Sequence, residues 1–211
     1  MKLIQILSCA ACFSASALPA ASHPHIFVDT ALRILTDEQG RATGVEVYWA
    51  YDDLYSLLIL EDMELDADYD GKLTEDELSR LHGFDMQWDA GFDGDLYASG
   101  PQGALTMTAP TPLDTHLLNG KIITRHVRRF PSPQTEIVIK AYDPTFYTAY
   151  DMTGGITAPD GCQITRHAAD MDAAYALVEE KMTQKAYAED DYPEVGEAFA
   201  DTITVTCNGG S

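Results

Sequence analysis

The chain has 211 residues, with 13 Lys and Arg against 34 Asp and Glu, a formal net charge of -21 and a 45% hydrophobic share. An acidic excess of this size repels phosphate backbones and anionic lipid surfaces, which excludes nucleic-acid or membrane binding through basic patches and makes cations the natural partners. The apolar share is enough to build a core, and the length suits one domain.

Residues 1–22 read as a secretory signal peptide: Lys2 supplies the positive start, residues 3–17 are apolar, and Leu18-Pro-Ala-Ala-Ser22 offers small residues for cleavage. A periplasmic protein is expected, with a single metal-binding domain over residues 23–211. No later segment reaches about 18 uninterrupted apolar residues, so the mature chain is not expected to insert into a membrane. Cys9 and Cys12 fall inside the leader.

The mature chain would open on His23-Pro-His25-Ile-Phe-Val-Asp29. If this begins a strand, residues at i and i+2 share a face, so His23 and His25 point together with Asp29 further along the same side. Two neutral imidazoles at this spacing suit Zn2+, and also Ni2+, Co2+ or Cu2+. Cleavage after Ser22 would add a free amine beside the His23 ring. Cleavage after Ala20 would instead give an amino-terminal Ala-Ser-His arrangement for copper or nickel. Two histidines leave the shell incomplete, and Asp29, Asp143 or another His is needed to extend it.

Extended runs at 25–36 and 43–51 flank a turn at Asp37-Glu-Gln-Gly40, and helical spacing follows at 52–65 and 74–88. Between these helices lies Asp66-Ala-Asp-Tyr-Asp-Gly-Lys-Leu-Thr-Glu-Asp-Glu77, which has the residue spacing of an EF-hand loop. Asp66, Asp68 and Asp70 would present oxygens to one Ca2+ and Gly71 would allow the sharp turn. The Lys72 carbonyl, Thr74 and a bidentate Glu77 would complete the shell, with Leu73 facing the core.

Strand-like runs continue at 95–99, 103–109, 121–128 and 135–142, and a helical pattern covers 168–188. The pattern predicts an α+β fold, mainly antiparallel β-sheet, with an EF-hand-like helix-loop-helix insertion at about 52–88 and a C-terminal helix. Cys162 and Cys207 begin and end strand-like segments. Antiparallel pairing with 162 opposite 207 puts Ile164 across from Val205, and a disulfide there would contribute about 3 to 4 kcal/mol. The basic run 125–129 is expected to pair with the protein's own acids. His82, His116, His126 and His167 are scattered, and no GxSxG, glycine-rich phosphate loop or HExxH motif is present, so an enzyme is not expected.

Residues 23–29, the loop at 66–77 and Tyr142-Asp-Pro-Thr-Phe-Tyr147, in that order, resemble an uncharacterised family of periplasmic components of ABC-type transport systems. The resemblance covers residues 23–167 and the terminal strand, leaving 168–200 as an inserted acidic helix. It implies a metal-handling companion of an inner-membrane permease of the nickel/cobalt or zinc-uptake kind, holding its ion through His23 and His25. Asp143 either faces that site or caps the turn that Pro144 fixes. Two other readings remain open: a copper-dependent oxidoreductase with an amino-terminal His ligand, and a calcium-dependent structural or adhesion module.

Overall fold

The computed structural model describes residues 23–89, 91–184 and 192–208. The expected signal peptide lies outside the described residues. Strands β1 (Ile26–Thr36) and β2 (Ala42–Tyr51) form an antiparallel hairpin. Its turn is held by the Asp37 carboxylate, which accepts from the N–H groups of Gln39 and Arg41 and from the Arg41 guanidinium. Alternation along β1 buries Val28, Thr30, Leu32 and Ile34 on one face, the period-2 signal of a half-buried strand.

Helices α1 (Asp53–Asp62) and α2 (Glu75–Leu81) follow. Then come β3 (Leu96–Gly100), β4 (Gly103–Ala104), β5 (Thr111–Leu118), β6 (Lys121–Gln134), β7 (Glu136–Ala141), β8 (Thr148–Thr157), β9 (Cys162–His167), α3 (Met171–Gln184) and β10 (Thr202–Cys207). One sheet has the order β5-β6-β2-β1-β8 and the other β4-β3-β7-β10-β9. All pairings are antiparallel except β1 with β8. Val28, Leu32, Val45, Val47 and Ile122 of the first sheet share one hydrophobic cluster with Leu96, Ile137, Ile139, Ile203 and Val205 of the second. The fold is mixed α/β with mainly antiparallel sheets.

Several boundaries differ from expectation for identifiable reasons. The run at 103–109 forms a strand only at Gly103–Ala104. Strand β5 carries Pro112, tolerated because β5 is an edge strand. Strand β8 contains Gly154-Gly155 and is mostly half-exposed or exposed, so it shows neither strand propensity nor a clean apolar alternation. Helix α2 stops at its cap His82, after which Gly83 has a φ of 71°. The terminal strands pair as expected, with Cys162 opposite Cys207 and Ile164 opposite Val205, and the two cysteines are bonded with an S–S distance of 2.02 Å. Among the described residues no helix is long and apolar enough to cross a membrane.

Candidate metal centre

Two places in the fold gather metal-binding side chains. The first is the loop between α1 and α2, which is organised by Asp66. The Asp66 carboxylate accepts from the N–H of Asp70 at 3.1 Å and of Gly71 at 3.2 Å, and Gly71 has a φ of 74°, a conformation that glycine adopts without steric cost. As a result Asp66, Asp68 and Asp70 each bring one oxygen within 4.8 Å of the others. Asp66 is buried, whereas Asp68 and Asp70 are exposed. Leu73 packs against the core.

Glu77 lies in the first turn of α2 and forms a capping box with Thr74. Its Oε2 accepts from the Thr74 N–H at 2.8 Å and hydroxyl at 2.7 Å, while Oε1 accepts from the Asp66 N–H at 3.1 Å. These hydrogen bonds, chiefly those from Thr74, hold the carboxyl below the usual range. Glu77 therefore stands ionised beside the aspartate trio and fastens the start of the loop to its end. The Lys72 N–H donates to Asp70 Oδ1 at 2.8 Å, which keeps the intervening turn tight.

The second place is the segment just ahead of β1. The His25 N–H donates to the Tyr147 carbonyl at 2.8 Å, which fastens the chain start to the turn before β8. The His23 and His25 rings lie edge to face with centroids 4.8 Å apart. Tyr147 is 4.8 Å from the His25 ring, and Tyr192 is 3.9 Å from the His23 ring. His23 Nδ1 is buried without a hydrogen-bond partner among the described residues. Burial first, and the neighbouring His25 second, push the His23 pKa down, against an opposing pull from Asp143.

Asp143 caps its turn. Its Oδ1 accepts from the Thr145 N–H and hydroxyl at 2.8 and 2.9 Å, and Oδ2 accepts from the Thr148 N–H at 3.1 Å. Its charge still reaches His23. Asp29 does not join the pair, because its carboxylate accepts from the Thr153 hydroxyl at 2.7 Å and from Lys121 at 3.2 Å. Among the described residues no third His, Cys, Asp or Glu donor comes within 4.8 Å of both imidazoles.

The segment at 168–200 is not one long helix. Helix α3 covers Met171–Gln184, Pro193 is incompatible with a helix interior, and Gly196–Phe199 form a 3-10 turn. Residues 185–191 lie outside the described residues. A Cβ at Gly196 would sit 1.7 Å from the Asp143 carbonyl oxygen, so glycine lets this turn close against the 143–148 turn, where Phe199 stacks on Phe146 at 3.7 Å. This packing brings Tyr192 to His23, a neighbour with no signal in the sequence.

A family profile described as a protein of unknown function, DUF1007, matches residues 8–207. The chain belongs to the DUF1007 family. The match runs from one side of the 168–200 segment to the other. No curated protein matches the chain.

The basic run meets the expected pairing with the protein's own acids at Arg125 and departs from it at Arg128. Arg125 pairs with Glu46 and with Asp114, but Arg128 turns inward and donates to the carbonyls of Thr108 and Asp93. His126, on the same inner face of β6, is fully buried, and burial drives its pKa down to about 3.

Proposed function

We propose that this DUF1007 protein is an exported metal-binding accessory of an inner-membrane permease. In this reading His23 and His25 hold a divalent transition ion, Zn2+ first among them, and the 66–77 loop holds Ca2+. The observation that carries the reading is the convergence of the two imidazoles. Two imidazoles bound to one zinc at about 2.0–2.1 Å and a tetrahedral angle have ring centres about 5 Å apart, close to the 4.8 Å between His23 and His25. The unpartnered His23 Nδ1 leaves a lone pair or proton unsatisfied, which coordination would resolve. Two protein ligands leave positions for water or for a receiving protein, which suits an ion handed onward better than one locked in place.

Calcium would have a separate, structural part. Three carboxylate oxygens within 4.8 Å repel one another, and a hard cation with oxygen ligands offsets that repulsion. Glu77 would need to turn from the Thr74 cap to close the shell. The acidic surface draws cations toward both places.

The test compares wild type with the His23→Ala/His25→Ala double variant in competition against a zinc chelator, with excess calcium to saturate the loop. The wild type is expected to retain zinc at chelator concentrations that strip the variant, and to lose it as pH falls through the imidazole range, because ligation requires neutral rings. Equal zinc affinity in the two proteins refutes the site. Copper-dependent oxygen consumption by the wild type alone would move the assignment to an oxidoreductase.

A further inference from the structure

A cavity of about 180 Å3 lies between β2 and the segment that follows α2. Six aromatic rings line it: Trp49, Tyr51, Tyr55, Trp88, Phe92 and Tyr150. They come from four regions of the chain and stand in pairs, Trp49 with Tyr150 at 5.5 Å, Tyr51 with Tyr55 at 5.3 Å and Trp88 with Phe92 at 5.5 Å. The one ionisable carboxylate in the lining is Asp85.

We propose that this cavity binds a small alkylammonium cation. The faces of aromatic rings carry the negative end of a quadrupole, and several around one space make a cage for a cation. Asp85 adds a carboxylate held in position. Its Oδ2 accepts from the Tyr51 and Thr124 hydroxyls, each at 2.7 Å, so the carboxylate cannot swing away. Its Oδ1 is buried with no hydrogen-bond partner among the described residues, as is the Trp49 Nε1. Burial raises the Asp85 pKa, and a cation beside it would restore the ionised form.

The surrounding charges agree with this sign. A second carboxylate, Asp95, stands behind the wall and accepts from the Tyr150 hydroxyl at 2.8 Å. The opposing charge is Arg128, whose guanidinium lies 4.7 Å over the Trp88 ring and is already directed to two carbonyls. His82 pulls the Asp85 carboxyl down, more weakly than burial raises it, and His126 is neutral at physiological pH. Asp85 lines the space with an unpartnered carboxylate oxygen, which disfavours an anion, and a neutral apolar guest would leave that oxygen uncompensated. A cavity of about 150 Å3 holds benzene, so this one takes a guest of roughly six to eight heavy atoms, the size of choline. The site uses neither the histidine pair nor the aspartate loop and stands apart from the function proposed above.

The protein carries its own reporter, because it has two tryptophans and both line the cavity. Choline is titrated against intrinsic fluorescence at constant ionic strength and constant calcium, beside its uncharged carbon isostere 3,3-dimethylbutan-1-ol. Choline is expected to give a saturable change that the isostere does not, and Asp85→Asn, which preserves the side-chain shape, is expected to weaken choline by about tenfold or more. If Asp85→Asn fails to fold, Phe92→Leu serves in its place, since Phe92 is 45% exposed and its loss removes one cage wall, for a weakening of about three- to tenfold. No saturable change with choline, an equal response to the isostere, or unchanged affinity in the folded variant overturns the proposal.

Discussion

Asp95 shows how one buried side chain sets a pH dependence. It sits at a φ of 52°, with Oδ2 bonded to the Tyr150 hydroxyl and Oδ1 unpartnered among the described residues. Burial pushes its pKa up to about 7; the Tyr150 hydrogen bond opposes this and the nearby Asp143 charge adds to it. An unfolded aspartate titrates near about 3.9, so between about pH 4 and pH 7 the native state keeps a proton that the unfolded state has lost. Stability therefore falls as pH rises through that window. Asp95→Asn removes the penalty and also suits the positive φ, which asparagine visits readily. The variant is expected to melt above wild type at pH 8, by on the order of 2–4 kcal/mol, and to converge with it near pH 4. Melting curves across this range check it, and a lower melting temperature for the variant at pH 8 would contradict the account.

Glu77 joins the two ends of the loop between α1 and α2. The same carboxylate caps α2 through Thr74 and accepts from the Asp66 N–H at the far end of the loop. Glu77→Ala is expected to lower the melting temperature in chelator through loss of the capping box alone. Calcium at about one hundred times its Kd should stabilise wild type by about 2.7 kcal/mol, and this gain should vanish in the variant. Thermal melts of both proteins with calcium and with chelator separate the two effects. A wild-type melting temperature indifferent to chelation would leave the loop as an acidic turn. Helix α1 owes its start to Asp52, which accepts from the Tyr55 N–H at 2.9 Å, yet Leu54, Leu57 and Leu58 remain exposed on it.

Across the whole molecule the disulfide ties the last strand to β9 at the edge of the second sheet. Replacing both cysteines with serine should lower stability by about 3 to 4 kcal/mol, or roughly 6–16 °C in melting temperature for a chain of this size. Non-reducing thiol counts on the denatured protein should find neither Cys162 nor Cys207 free. Two accessible thiols at these positions would contradict the pairing. The first sheet carries no such staple; its central strands are instead crossed by a charge network in which Glu46 pairs with Arg33 on one side and Arg125 on the other.

The sequence by itself determined what depends on near neighbours. Alternation fixed β1 and the pairing of Cys162 with Cys207, and Asp-rich spacing with Gly71 marked a loop whose carboxylates do converge. The imidazoles of His23 and His25 do lie together, though just ahead of β1 and not within it. Contacts between residues far apart in the chain came from the packing of the layers. Strand β8 has no apolar alternation of its own and exists because β1 offers it an edge. Tyr192 meets His23 because a glycine lets the 3-10 turn close on the Asp143 turn, and Asp143 spends its oxygens on that turn. His126 and Arg128 belong to a run expected to pair with the protein's own acids, but β6 alternation turns both inward, where they are buried. Which polar side chains end up buried is set by how the layers stack, and no local spacing encodes that.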